Sequence, residues 1–239
     1  MVDFMTIATR LKTIQKKECV EIYPKFIIKK SKDLMVRGSD FYAIWLGDMW
    51  STDEDDVIRL IDDELRKYAE EHYQNDCRVL YMWDSSSGMI DAWHKYCQKQ
   101  CRDNFVMLDE KLIFSNTDVK RTDYASHKLS YPLEEGDISA WDKLVGTLYL
   151  EEERHKIEWA IGAIVSGDSK ELQKFMVFYG AAGTGKSTII NVIQMLFDGY
   201  YAVFDAKSLG SSNNVFALEA FKTNPLVAII MRFPSKKYR

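Results

Sequence analysis

The feature that most restricts the fold of this chain is a glycine-rich run, residues 180–187, which reads Gly-Ala-Ala-Gly-Thr-Gly-Lys-Ser. It matches the phosphate-loop pattern G-x-x-x-x-G-K-[ST] at every fixed position. The preceding residues 175–179 (FMVFY) predict a short buried strand, and residues 187–197 (STIINVIQMLF) predict a helix. A strand, this loop and a helix in that order predict a nucleoside-triphosphate site at the edge of a parallel sheet.

Each residue type in the loop has a chemical role. Glycines let backbone amides approach phosphate oxygens, and the helix N-terminus adds partial positive charge. Lys186 is predicted to reach the β- and γ-phosphates as the catalytic cation, and the Ser187 hydroxyl is predicted to bind Mg²⁺. The predicted cofactors are therefore ATP and Mg²⁺. The predicted binding residues are Gly180, Ala181, Ala182, Gly183, Thr184, Gly185, Lys186, Ser187 and Thr188.

The residues after the loop predict more of the same architecture. Residues 200–204 and 225–231 predict two further strands, with a helix between them over residues 213–222. Strands that alternate with helices indicate a parallel sheet. The predicted fold class is therefore α/β, with an incomplete phosphate-loop sheet in the last part of the chain.

The first part of the chain has strand and helix patterns in mixed order. Residues 19–30 (CVEIYPKFIIKK) predict a strand, and Pro24 indicates that this strand lies at a sheet edge. Residues 41–50 (FYAIWLGDMW) predict a β-hairpin. Ser51 or Thr52 is then predicted to cap a helix whose acidic first turn complements the helix dipole.

The strand and helix patterns in the middle of the chain suggest where the domain boundaries lie. Predicted strands cover residues 78–83 and 105–114, a helix covers 89–101, an irregular connection covers 115–137, and two helices separated near 151–153 cover 138–165. We therefore expect an N-terminal α+β region over residues 1–115, a helical connector over 116–170 and a partial phosphate-loop ATPase domain over 171–239.

The composition excludes several classes of protein but does not indicate a binding partner. The formal net charge is −4, so the chain has no overall basic excess, although a local basic groove would escape this count. The longest apolar runs are too short for a membrane span, and the first residues do not resemble a signal peptide. Four cysteines without a secretory signal predict reduced thiols. We expect a soluble cytoplasmic protein with no membrane partner.

Residues 175–197, followed by YYAVFDAKSL at 200–209, resemble the start of a superfamily 3 helicase domain. The similarity is to the poxvirus-type and phage or plasmid primase-helicases. Residues 41–56 (FYAIWLGDMWSTDEDD) and the helical segment 141–175 resemble the parts of those proteins that precede the loop. The resemblance covers roughly residues 38–230, is strong around the loop and is weak before residue 140.

The resemblance implies an ATP-dependent DNA replication helicase with an AAA+-like motor, of viral or mobile-element origin and active inside a host cell. It implies a homo-oligomeric ring around single-stranded or forked DNA. In such a ring, an arginine from a neighbouring subunit completes each ATP site.

The chain departs from the family after its third predicted motor strand. Family members carry acidic residues at the end of that strand, which hold Mg²⁺ and polarise the attacking water. Here residues 226–239 (LVAIIMRFPSKKYR) contain no Asp or Glu. Asp205 and Glu219 are candidate substitutes, although a strand-end cap and a surface helix acid are the simpler interpretations. Without the acid, hydrolysis is expected to be severely impaired.

Only 52 residues follow Ser187, which is too few for a conventional motor because each strand–helix–strand unit needs about 30. The expectation is a motor truncated after its second strand–helix unit; a truncation, a premature stop and a frameshift are all open. The basic residues 232–239 predict either a DNA-phosphate contact or a solubilising tail.

Two other functions remain open. The first is a non-catalytic nucleotide-binding or oligomer-interface fragment, which the missing acid favours. The second is a phosphate-loop kinase, which the 179 residues before the loop disfavour.

Two further sites are weaker predictions. Zinc binding by His94, Cys97, Cys101 and Cys77 is less favoured than ordinary packing, because paired C-x-x-C spacing is absent. A primase centre would need clustered carboxylates, whereas Asp109, Glu110 and Asp118 are scattered and predict solvated turns.

Overall fold

The computed structural model describes residues 2–14, 17–27, 30–74, 76–100, 103–204 and 224–230. The chain divides into two compact units. Unit 1 comprises Met1–Val106 and Lys120–Ser126, and unit 2 comprises Met107–Val119 and His127–Arg239. Both units contain helices and small sheets, which confirms the mixed α/β class. No helix in the described ranges has the length and apolar character needed to cross a bilayer.

In its described residues unit 1 contains two sheets, two α-helices and two single-turn 3-10 helices. The sheets have strand orders β1-β2-β6 and β5-β4-β3-β7. The elements are β1 (Met5–Ile14), β2 (Lys17–Phe26), β3 (Leu34–Arg37), β4 (Asp40–Trp45), β5 (Trp50–Ser51), α1 (Glu54–Tyr73), β6 (Arg78–Val79), α2 (Met89–Gln100) and β7 (Asp103–Asn104).

The first sheet is built on an antiparallel β1–β2 hairpin, and sequence reasoning did not predict β1. The prediction that Pro24 marks an edge strand is wrong, because β2 lies between β1 and β6. Pro24 is tolerated there because β6 pairs only with Glu21 and Ile22, so no ladder bond to β6 is required from Pro24. The predicted strand over residues 78–83 is confirmed only for its first two residues.

The predicted hairpin of β4 and β5 is confirmed, with Trp45 opposite Trp50. The helix that follows, α1, has its N-cap one residue after Thr52 and two after Ser51, so the predicted cap is wrong. Asp53 is the N-cap, and its carboxylate accepts the backbone N–H of Asp55 at 2.9 Å. The Ser51 hydroxyl donates instead to Asp56, because Ser51 belongs to β5.

The core of unit 1 lies between α1, α2 and the sheets. Its buried residues include, from α1, Val57, Ile61, Leu65 and Ala69, and from the other elements Phe4, Met5, Ile22, Leu34, Val36, Ile44, Met82, Trp93, Tyr96 and Cys97. One polar group enters this region from α1. The buried Asp62 carboxylate accepts the backbone N–H groups of Met82 at 2.7 Å and Trp83 at 3.2 Å. Burial raises the pKa of Asp62, and these two hydrogen bonds oppose the rise.

Unit 2 is mainly helical in its described residues, with one small parallel sheet. Its elements are α3 (Ser139–Leu148), α4 (Glu151–Ser166), α5 (Ser169–Leu172), α6 (Lys186–Leu196), β8 (Tyr201–Phe204) and β9 (Val227–Ile230). The α3–α4 pair confirms the two predicted helices. Strands β8 and β9 pair in parallel, with Tyr201 opposite Val227 and Phe204 opposite Ile230. That pairing confirms the predicted direction of these two strands.

Two predicted strands are absent from the described residues. Residues 105–114 form no strand, and this run passes from unit 1 to unit 2 after Val106. Residues 175–179 also have no regular structure, and Phe175 and Tyr179 are 87% and 97% exposed. A strand needs a hydrogen-bonded neighbour, and the described parallel sheet pairs β8 only with β9. The predicted helix over 213–222, Asp205, Glu219 and the 232–239 tail lie outside the described residues.

Candidate nucleotide-binding site

The phosphate-loop residues form an exposed turn that leads directly into α6. Gly180, Gly183 and Gly185 have φ angles of 147°, 82° and 73°, a backbone region that side-chain-bearing residues rarely adopt. Gly185 is the N-cap of α6. The three glycines therefore give this segment a turn shape that few other residues would allow.

The side chain of Lys186 folds back over its own loop. Its ammonium donates to the carbonyl oxygen of Gly180 at 3.1 Å, to that of Ala181, and to the Thr184 hydroxyl at 2.9 Å. The Thr184 hydroxyl in turn donates to the carbonyl of Ala181 at 3.0 Å. The cation is thus held at the centre of the turn by groups that phosphate oxygens can replace, because an ammonium bonds an anionic oxygen more strongly than a neutral one.

The first turn of α6 supplies further donors. The helix's hydrogen bonding begins with the Ile189 N–H, which donates to the carbonyl of Gly185 at 3.1 Å. The N–H groups of Lys186, Ser187 and Thr188 precede that bond, so none of them has an intrahelical acceptor. The side chains of Ser187 and Thr188 are exposed.

The residues fit a nucleoside triphosphate with Mg²⁺. A cation, three N–H groups and a helix N-terminus suit a phosphate chain. The Ser187 hydroxyl is a hard oxygen ligand of the kind that Mg²⁺ binds. The arrangement can bind and orient a triphosphate. Among the described residues, no group of three or more His, Cys, Asp or Glu side chains converges as a metal site.

The position of α6 is fixed by a small apolar core. Ile189 of α6, Val145 of α3 and Ile157 of α4 are its buried members, and Phe178 from the segment before the loop packs against them. The loop itself contacts α3: a Cβ atom on Gly185 would lie 2.6 Å from Cδ1 of Leu148. Glycine is therefore favoured at residue 185 by its φ angle and also by its contact with the Leu148 side chain.

Hydrogen bonds between polar and charged side chains also link α3 to α4. The Arg154 guanidinium donates to Asp142 and, at 2.7 Å, to Glu158, which also accepts the indole N–H of Trp141 at 2.8 Å. The Trp141 and Arg154 hydrogen bonds hold the pKa of Glu158 below its usual range. Sequence reasoning missed this network, although the i, i+4 spacing of Arg154 and Glu158 is a recognisable signal.

A second polar network lies around the start of β8. Buried Tyr200 donates its hydroxyl to the carbonyl of His127 at 2.6 Å, and the hydroxyl accepts the Ile113 N–H at 3.2 Å. Burial raises the pKa of Tyr200 to about 12. His127 Nδ1 lies 3.0 Å from the buried carboxylate of Asp109, and this hydrogen bond raises the pKa of His127. Asp109 is thus a buried partner of His127, so the predicted solvated turn residue is wrong at this position.

Two of the candidate zinc ligands, Cys97 and His94, contact other residues. Cys97 is buried in the core of unit 1, and His94 Nε2 lies 3.5 Å from Glu54. Burial raises the pKa of the Cys77 thiol. Cys101 lies outside the described residues.

Comparisons with protein-family models, with curated protein sequences and with solved structures gave no match.

Proposed function

We propose that this chain binds Mg²⁺ and ATP at residues 180–188 and is part of a superfamily 3 type DNA replication helicase. The observation that carries the proposal is the conformation around Lys186. The lysine that the motif assigns to the phosphates lies within a turn of positive-φ glycines, at the N-terminus of α6. A glycine-rich turn with no ligand would not require a lysine at this position.

The roles of the individual residues follow from their positions. Lys186 would exchange its loop carbonyl partners for β- and γ-phosphate oxygens and neutralise their charge. The amides of the first turn of α6 would orient the phosphate chain. Ser187 would hold Mg²⁺, which supplies charge neutralisation between the phosphates when it is bound.

The helicase part of the proposal depends on the resemblance of residues 175–209 to the superfamily. The partner would be single-stranded or forked DNA, and the active form would be a homo-oligomeric ring with an AAA+-like motor. The parallel pairing of β8 with β9 supports this motor, because a doubly wound sheet needs parallel neighbours.

A second candidate is a nucleotide-binding chain without catalysis. The specific observation in its favour is the sequence of β9 and the residues after it, LVAIIMRFPSKKYR, which contains no carboxylate to polarise water. Turnover by this chain is therefore expected well below the 1 to 10³ s⁻¹ that is typical of enzymes.

The test compares Lys186→Ala with Lys143→Ala by calorimetric titration of Mg·ATP. Lys143 is an exposed lysine on α3 of the same unit and makes a matched control. We expect Lys186→Ala to weaken binding roughly tenfold or more, since a hydrogen bond to a charged group contributes about 1.5–3 kcal/mol. Lys143→Ala should bind like the unmodified chain.

Removal of Mg²⁺ with a chelator should also weaken ATP binding in the unmodified chain. Equal ATP affinity in Lys186→Ala and Lys143→Ala would contradict the proposed site. Hydrolysis at an ordinary enzymatic rate by the unmodified chain would rule out the second candidate and the expected impairment together.

A further inference from the structure

Unit 1 has one sheet face on which most of the charged side chains are cations. In the β1–β2 register Arg10 lies opposite Glu21, Lys12 opposite Cys19 and Thr6 opposite Lys25. Directly opposed residues of an antiparallel pair project from the same face. Strand β6 adds Arg78, which pairs with Glu21. The opposite face carries Ile22, which is buried in the core of unit 1.

In the described part of this face, one carboxylate is present, and three cations already pair with it. Glu21 is fully buried and lies 2.7 Å from Arg10, 3.2 Å from Lys12 and 3.3 Å from Arg78. Burial alone would raise the pKa of Glu21, but the hydrogen bonds from Arg10 and Lys12 outweigh it and lower the pKa. One negative charge faces three positive ones, so the cluster keeps a net positive charge. The three cations remain about half exposed.

A cleft lies between the last residues of β2 and helix α2, and residues from both faces of β2 line it. It has a volume of about 340 Å³, and its lining includes Tyr23, Lys25, Lys95, Tyr96 and Lys99. All three lysines are exposed. Among the described residues, none of these three ammonium groups forms an ion pair with a carboxylate. The cleft therefore combines uncompensated positive charge with aromatic rings.

Tyr23 connects the cleft to the cation cluster. It lines the cleft, and the guanidinium of Arg10 lies 5.2 Å from the centroid of its ring. Lys12 and Lys25 stand six residue levels apart along the hairpin, because Lys25 lies opposite Thr6. At about 3.4 Å per residue this separation is roughly 20 Å. A single phosphate group spans only a small part of that length.

We propose that this basic face, defined by Arg10, Lys12, Tyr23, Lys25, Arg78, Lys95 and Lys99, binds single-stranded nucleic acid. Spaced cations match the repeated phosphates of an extended strand, and the half-buried ring of Tyr23 can stack on an unpaired base. A duplex would present the phosphates but would hide the faces of its bases. The inference extends the proposed function by placing strand binding in unit 1, and it does not depend on ATP binding at Lys186.

The test measures binding of a fluorescent oligothymidylate of roughly 16 nucleotides by anisotropy, without ATP, across a range of salt concentrations. The variant combines Lys25→Gln, Lys95→Gln and Lys99→Gln. We expect at least a roughly tenfold loss of affinity, and a fall of about 2 in the slope of log affinity against log salt, since each lost phosphate contact contributes about 0.7.

The matched control combines Lys30→Gln, Lys32→Gln and Lys67→Gln, three exposed lysines of the same unit. This variant has the same change in net charge and should bind the strand like the unmodified chain. Equal losses in the two triple variants would overturn the proposal, because binding would then depend on net charge alone.

Tyr23 tests the stacking part of the proposal. Tyr23→Phe keeps the ring and should keep the affinity, whereas Tyr23→Leu should weaken strand binding roughly fivefold or more. Circular dichroism on both variants checks that unit 1 still folds. The proposal would be overturned if Tyr23→Leu and Tyr23→Phe bound the strand with equal affinity. It would also be overturned if the chain bound duplex as tightly as single strand.

Lys186→Ala separates this inference from the proposed function. This variant should lose ATP binding and bind the oligothymidylate normally. A failure of ATP binding in the unmodified chain, with strand binding intact, would count against the phosphate-loop site alone.

Discussion

At the residue scale, the pair formed by His127 and Asp109 is the most informative contact outside the phosphate loop. The Asp109 carboxylate is buried, accepts the backbone N–H of His127 and lies at hydrogen-bond distance from its ring nitrogen Nδ1. Asp109 itself has a φ angle of 57°, a conformation that costs about 1 kcal/mol or more in an L-residue. These two hydrogen bonds link Asp109 to His127 across 18 residues of sequence.

Stability should depend on pH through this pair. The pKa of folded His127 is raised above 6.5, so its stabilising contribution is full below pH 6.5 and is lost as pH rises through the folded value. We expect His127→Gln to lower the free energy of unfolding most at acid pH, and progressively less toward alkaline pH. The effect should be at most about 1 kcal/mol, since the imidazole is nearly half exposed.

Urea unfolding at several pH values measures this difference. Asp109→Asn is the second variant, because it removes the charge that raises the pKa of His127 and should remove the same pH dependence. A difference between His127→Gln and the unmodified chain that stays constant from acid to alkaline pH would contradict the assigned pair.

Local spacing explains why the loop residues were predictable and this pair was not. Residues 180–188 form one turn and the start of one helix, so their chemistry is contained in nine consecutive residues. Asp109 and His127 are 18 residues apart, and Tyr200 is a further 73 residues along the chain from His127. Nothing in the sequence near any one of them indicates the other two.

At the element scale, the end of α3 and the start of α6 meet at a glycine. Gly185 has a φ angle of 73°, and the side chain of Leu148 occupies the space where a Cβ atom would lie. The motif requires glycine at this position for phosphate approach. The structure adds a second effect, because the Leu148 side chain would have to shift to admit a methyl group.

Gly185→Ala should therefore destabilise unit 2 more than Gly183→Ala. Both residues have positive φ angles, but a Cβ atom at Gly183 would meet nothing within 4 Å. We expect about 1–2 kcal/mol for the backbone conformation in each variant, and a further 1–3 kcal/mol for overpacking in Gly185→Ala alone. Urea unfolding followed by the fluorescence of Trp141 and Trp159 measures both. Equal losses would show that Leu148 yields without cost.

Helices were predicted better than strands, for a physical reason. Helices α2, α3 and α6 have periodic apolar faces that are complete within one segment. Strands depend on partners elsewhere: β1 is a strand because β2 lies beside it, whereas residues 175–179 have a strand-like composition and no described strand beside them. Composition alone does not distinguish these two cases.

At the scale of the whole molecule, the two proposed sites lie in different units. The phosphate loop belongs to unit 2, and the basic face belongs to unit 1. The chain passes between the units three times, at residues 106–107, 119–120 and 126–127. The net charge of −4 would not reveal such a face, because it is a sum over the whole chain and a local group of cations does not appear in it.

Each ligand should protect its own unit, and hydrogen exchange read by mass spectrometry can measure this. A ligand at 100 times its Kd stabilises the form it binds by about 2.7 kcal/mol, which slows exchange through openings that expel the ligand. Mg·ATP should slow exchange in residues 180–196, and this effect should vanish in Lys186→Ala. Oligothymidylate should slow exchange in residues 19–26 and 89–99, and Lys186→Ala should leave that effect unchanged. Equal protection of both regions by Mg·ATP alone would contradict two separate sites.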